Sequence, residues 1–231
     1  MNRIKTGISG LDELLEGGFP EGSSVLVSGG PGTGKTIFCL QYLYAGAKFY
    51  SEPGVYVTLE EGPNNLWWNV QRFKWDVPAL EKQGKMYIYK FEPDKAGDLE
   101  KQVKKIVEKV KQLHAKRLVI DSLTAFGLWA NDKAKIRYAI YMLAEELRKL
   151  QCTTLLACET SGKKNEFSSF GVEEFLADGI ITLHFIPPRH FLSIRKMRGT
   201  ANEMNVHPLN FTDDGLAVNA KDKMSWEELK E

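Results

Sequence analysis

Short apolar runs rich in β-branched residues alternate along this chain with longer stretches in which apolar residues return every three or four positions. The first pattern belongs to buried strands and the second to the helices that cover them. The alternation therefore predicts a mostly parallel sheet joined by crossover helices. Strands are predicted at Ser24 to Ser28, Val55 to Leu59, Met86 to Tyr89, Leu118 to Ile120 and Thr154 to Ala157, each bounded by Gly, Pro or charged residues. Helices are predicted over Gly34 to Phe49, Asn64 to Lys74, Leu99 to Leu113 and Lys133 to Leu150; the last carries Ile136, Ile140, Leu143, Leu147 and Leu150 along one face. Beyond Asp178 the texture changes. Gly179 to Ile186, Phe191 to Arg198 and Met204 to Phe211 read as strands joined by turns, with Pro187-Pro188 and Asp213-Asp214-Gly215 as turn signals, so the sheet is expected to end antiparallel. The final segment around Trp226 reads as a short helix or a frayed tail.

One junction in this pattern carries chemistry. Between the first predicted strand and the first long helix lies Gly29-Gly30-Pro31-Gly32-Thr33-Gly34-Lys35-Thr36, which satisfies G-x-x-x-x-G-K-S/T in the strand-to-helix setting that a phosphate loop requires. Glycines allow backbone N–H groups to turn inward on phosphates, the helix start adds its positive end, and Lys35 reaches the β and γ oxygens. Nucleotide contacts are expected from Gly30, Pro31, Gly32, Thr33, Gly34, Lys35, Thr36 and Ile37, with Thr36 a magnesium ligand. The apolar strand that ends at Asp121 supplies the acid for the metal shell. Val57-Thr58-Leu59-Glu60-Glu61 ends the strand after the phosphate-loop helix, placing carboxylates where an attacking water would sit; Glu60 is the expected base and Glu61 its support. Thr160, at the end of a further strand, is a weaker candidate for sensing the γ-phosphate.

Composition narrows the field without redirecting it. Apolar residues at 43% and charged residues at 26% are ordinary for a globular chain, and one domain spanning residues 1–231 is the expectation. A net charge of +1 gives no global footprint for nucleic acid. Cys39, Cys152 and Cys158 show no zinc or redox spacing, and the four histidines show no ligand spacing. With no long apolar stretch, a cytoplasmic location away from membranes is expected.

The opening TGISGLDELLEGGFPEGSSVLVSGGPGTGKT, together with VYVTLEE, RLVIDSLTAF, FGVEEFLADGIITL and the strand end RKMRGT, resembles the KaiC family of RecA-type ATPases over nearly the whole length. The family includes the cyanobacterial clock ATPase and many single-domain archaeal proteins. The resemblance implies a RecA-like fold, ATP or ADP with Mg2+, and a hexameric ring with each nucleotide at a subunit interface. It also implies that Lys196 and Arg198 reach a neighbour's γ-phosphate. Spaced by two, they share one face of a strand. Thr200, in the same RKMRGT match, is carried over as a nucleotide contact.

Two departures stand out. Where the clock protein places a histidine after the basic strand, this chain has Ala201-Asn202, which loosens the expected preference for ATP over GTP. At the clock protein's phospho-acceptor positions it has Glu174 and Phe175, so self-phosphorylation is disfavoured; Ser168 and Ser169 upstream read as solvated loop residues. Alternatives are a DNA-handling motor of recombinase or helicase type and a non-catalytic assembly switch. For the motor, Phe126 and Trp129 would stack on bases and Lys163 and Lys164 would meet phosphates, a thin footprint partly offset by Asp132 and Glu166. The aromatic group Trp67, Trp68, Phe73 and Trp75 reads as core, with at least one ring at an edge or subunit interface.

Overall fold

The computed structural model describes residues 2–91, 99–125, 132–160, 177–201 and 204–228. The expectations for Phe126, Trp129, Lys163, Lys164, Glu166, Ser168, Ser169, Glu174, Phe175 and Asn202 lie outside those residues.

The apolar runs become strands β3 (Ser24–Gly29), β4 (Gly54–Thr58), β5 (Met86–Lys90), β6 (Arg117–Asp121) and β7 (Thr153–Glu159). They are followed by β8 (Gly179–Ile186), β9 (Arg189–Met197), β10 (Val206–Thr212) and β11 (Gly215–Val218). Among the described residues these nine form one sheet in the order β11-β10-β9-β8-β3-β7-β6-β4-β5. Neighbours from β8 to β5 run parallel, and β8 to β11 pair antiparallel. Two short strands, β1 (Arg3–Ile4) and β2 (Phe19–Pro20), make a separate antiparallel pair at the start of the chain.

Alternation along the strands sends residues to two cores. Val25, Val27, Tyr56, Val119 and Leu155 face α2 (Lys35–Phe49), whereas Leu26, Val55, Val57, Leu118, Ile120 and Leu156 face α5 (Leu99–Gln112) and α6 (Lys133–Lys149). Helix α2 is buried continuously from Phe38 to Ala47, as expected of a helix apolar on every side. At its far end Arg117, with no exposed surface, passes beneath Gly46 and donates through Nε to Glu52 at 2.7 Å and through Nη1 to the Tyr42 carbonyl at 2.7 Å.

The expected parallel sheet with an antiparallel end is therefore present, and most boundaries differ by one or two residues. The helix expected over Asn64 to Lys74 is shorter and shifted. It is α3 (Pro63–Val70), followed by α4 (Val77–Lys82) capped by the Asp76 side chain. Between them the chain turns because Phe73 and Trp75 stack on each other at 4.7 Å and Trp75 stacks on Tyr44 at 5.3 Å, which helical continuation would prevent. Trp68 is the ring left outside, 74% exposed. The short helix α1 (Leu11–Leu14), β1, β2 and β11 were not anticipated. The strand expected from Met204 begins at Val206. Within the described part of the final segment, Met224 bridges Val206, and Trp226 packs edge-on against His184 beneath the Arg195 guanidinium.

Candidate functional site

The phosphate loop leaves the buried end of β3 and enters α2 at Lys35. Gly32 and Gly34 have φ of +75° and +94°, values that side chains rarely tolerate. A Cβ on Gly29 would lie 2.7 Å from the Leu183 carbonyl and one on Gly34 would lie 2.9 Å from the Phe211 ring, whereas a Cβ on Gly30 or Gly32 would meet open space. The loop is thus packed tightly at both ends and open between them, the shape a phosphate chain needs. Thr33, almost fully buried, closes it from inside through Oγ1 to the Gly30 carbonyl at 2.9 Å. Lys35 Nζ donates to the Gly29 and Gly30 carbonyls at 3.0 Å each, which holds the ammonium over the cradle. Pro31 is exposed on the rim, and Ile37 turns inward against the core below α2.

Beside the cradle, Thr36 Oγ1 donates to Asp121 Oδ2 at 3.0 Å across three strands of the sheet. The same carboxylate oxygen accepts from the buried Tyr56 hydroxyl at 2.5 Å. Burial, and next the Asp121 charge, push the Tyr56 phenol far above its usual range, so it remains a donor. A hydroxyl and a carboxylate this close form the paired oxygen ligands that magnesium prefers, and the open middle of the loop leaves room for phosphate oxygens; the residues fit Mg-nucleotide.

Strand β4 ends at Thr58, and both following carboxylates are exposed at that end. Glu60 Oε1 accepts from Ser122 Oγ at 3.1 Å, immediately after Asp121, and Glu61 Oε2 accepts from Asn69 Nδ2 at 3.3 Å. Ser122 therefore ties Glu60 to the strand end that carries Asp121, while Glu61 is drawn toward α3. The Thr160 backbone N–H approaches the Gly29 carbonyl at 3.4 Å, placing its strand end against the loop.

Lys196, Arg198 and Thr200 are elsewhere. The register pairs Gly29 with Leu183 and Leu183 with Leu192, but pairs Val25 with Gly179 and Gly179 with Met197. The basic end of β9 thus sits level with Val25, four residues below the loop, or about 13 Å along the strands. Lys196 Nζ donates to the Ala177 carbonyl at 2.7 Å, and Arg198 Nη1 donates to Asp178 Oδ1 at 2.9 Å. Thr200 Oγ1 accepts from Arg3 Nη1 at 2.7 Å, and Arg3 also binds the Gly199 carbonyl. Within one chain, none of the three is brought to the phosphate loop.

Several contacts to the site escaped the sequence. His190 Nε2 donates to the Gly32 carbonyl at 3.1 Å while its ring stacks on Phe185 and meets Phe211 edge-on. Neither His190 nor Phe211 carries a motif; only the tight turn at Asp213-Asp214 hinted that a hairpin tip lay nearby. Tyr56 and Ser122 flank known motif residues, but nothing in their spacing points to a carboxylate on another strand.

A family model for the KaiC ATPase matches residues 4–223. The chain belongs to the KaiC family of ATPases. Among its relatives, a UPF0273 protein of Thermotoga maritima is 39% identical, the match covering 94% of this chain and 96% of the relative. The circadian clock oscillator protein KaiC of Nostoc is 34% identical over 94% of this chain but only 44% of its own length, so the chain spans less than half of that protein. The crystal structure of a KaiC-like protein from Pyrococcus horikoshii superimposes with a TM-score of 0.84 at 41% identity, covering 94% of this chain and 98% of the other. KaiC membership and the sheet order together make this a RecA-type α/β fold of an ATP-binding family. Among the described residues no helix is long and apolar enough to cross a membrane.

Proposed function

We propose that the chain hydrolyses Mg-ATP to ADP and phosphate in a ring of identical subunits, hexameric as the family resemblance implies, in which each nucleotide lies between a phosphate loop and the basic strand end of a neighbour. The observation that carries the reading is the pairing of Thr36 with Asp121 directly beside the Lys35 cradle. Lys35 and the loop amides hold the β and γ oxygens, and Thr36 and Asp121 hold magnesium, which withdraws charge from those oxygens when bound. Glu60, braced by Ser122, orients a water for in-line attack on the γ-phosphorus. The new P–O bond forms from water oxygen, the bond to the bridging oxygen breaks, and the water proton passes to Glu60 or a phosphate oxygen. Lys196 and Arg198 cannot serve their own loop from the far end of the strands, and the Arg198 side chain, 58% exposed, is accessible as a neighbour would require. The resemblance to a clock oscillator protein supports a regulatory or signalling use of this turnover in the cytoplasm, rather than a motor on DNA or a switch indifferent to hydrolysis.

The test is phosphate release with and without magnesium, alongside size measurement with ATP, ADP and no nucleotide. Lys35→Ala and Arg198→Ala are each expected to lower turnover at least 100-fold, as loss of a charge-stabilising group does. Co-expression of the two variants should restore part of it, because some interfaces then join an intact loop to intact cations. Parent-like turnover in Lys35→Ala would overturn the assignment of the site, and absence of rescue would overturn the shared interface.

A further inference from the structure

The described residues also show how the basic strand end is held. Asp178 immediately precedes β8, and its side chain is 12% exposed. Its Oδ2 accepts from the Ser24 backbone N–H at 3.1 Å and from Arg148 Nη2 of α6 at 3.2 Å. Its Oδ1 accepts from Arg198 Nη1 at 2.9 Å. The backbone locks the same junction: Asp178 N–H donates to the Ser24 carbonyl at 2.8 Å, and Arg198 N–H donates to the Asp178 carbonyl at 2.9 Å. One carboxylate, fixed by the central strand and by a helix, therefore grips one corner of the Arg198 fork.

We propose that Asp178 is a positioning residue that sets the direction of Arg198, and with it the Lys196–Arg198 cation pair, toward a nucleotide held by the neighbouring chain. The proposal rests on the shared-site reading given above. The contact to Asp178 engages one of the five guanidinium N–H donors, and the Arg198 side chain is 58% exposed, so the fork projects outward from a fixed point. A long arginine left unanchored loses rotamer freedom when it meets a phosphate; an anchored one has lost it on folding. Like charge is the second reason for an anchor. Burial lowers the Lys196 pKa, Arg198 beside it lowers it further, and Asp178 opposes both. Without the carboxylate, two neighbouring cations would repel each other and splay apart, losing a common target.

The test compares Asp178→Asn with Arg198→Ala in the full chain. Asparagine retains an oxygen for the Ser24 N–H but withdraws the charge that holds the guanidinium. The expected result is a 10- to 100-fold loss in kcat with nucleotide affinity within threefold of the parent, because the variant's own loop lies at the other end of β3. Asp178→Glu, which keeps the charge, should recover part of the loss. Co-expression of Asp178→Asn with Lys35→Ala should exceed either alone, since the first brings an intact loop and the second intact cations. Unchanged kcat in Asp178→Asn, alongside a slow Arg198→Ala, overturns the anchor alone. Equal loss of kcat and affinity, or no rescue on co-expression, overturns it by showing that Asp178 serves only the fold. Parent-like turnover in Arg198→Ala overturns the shared-site reading, and the anchor with it.

Discussion

Replacing Gly34 by alanine tests how the fold shapes the phosphate loop. At φ +94° an alanine costs about 1–2 kcal/mol from backbone strain alone. Its Cβ would also lie 2.9 Å from Phe211 Cζ, closer than side-chain carbons approach. Crowding a packed contact adds about 1–3 kcal/mol, and the lower half of that range applies because Phe211 is only partly buried and can yield slightly. The sum is about 2–4 kcal/mol. Helix α2 cannot absorb it by moving, since Phe38 to Ala47 are buried without interruption. The strain therefore falls on the loop, and the expected outcome is a loss of Mg-ATP affinity of roughly 30- to 1,000-fold. Titration with a fluorescent ATP analogue measures this, and a circular dichroism melt should show a smaller change in stability. In a Phe211→Leu background the crowding is relieved and the backbone strain is not, so Gly34→Ala should recover roughly tenfold. Parent-like affinity in Gly34→Ala would refute the reasoning, and no recovery in the double variant would refute its steric half.

Two further outcomes concern stability. His184, half-buried between Ser193 and Trp226, has its pKa pulled down to about 4 by desolvation and then by Arg195. The folded chain holds this imidazole neutral while the unfolded chain protonates it near pH ~6.5, so this contribution is complete above that pH and is lost as pH falls toward about 4. Near pH 5 the loss is about 2 kcal/mol, or roughly 4–8 °C in melting temperature, and His184→Gln should remove that slope; an unchanged slope would refute it. Glu52→Ala strips the buried Arg117 of its carboxylate partner, and because Glu52 is itself 23% exposed the expected cost is about 2–4 kcal/mol, below the full range for buried pairs. Urea unfolding reads that cost, while nucleotide affinity of the folded chain should remain unchanged.

The sheet was legible because its strands are short, apolar and punctuated, so that β8 was found to the residue and the phosphate loop followed from one motif. The region after α3 was not, because Phe73 and Trp75 are drawn out of helical register by Tyr44, a partner on another element. Strand β11 was missed for a similar reason: Gly215–Val218 is too short to announce itself, and Gln41 on α2 fixes it by accepting from Leu216 N–H at 2.6 Å. Among site residues, Asp121 and Thr36 could be paired in advance because both belong to motifs. Asp178 could not, since its partners Ser24, Arg148 and Arg198 come from three distant stretches of chain.

The separation of the phosphate loop from Lys196 and Arg198 along the strands gives each chain a head and a tail. On the shared-site proposal, a molecule so built needs a neighbour to complete each catalytic centre, and the unlike surfaces that then meet continue until they close into a circle. Dilution alone should then silence it: turnover per molecule falls as subunits drift apart, although every phosphate loop in the sample is intact.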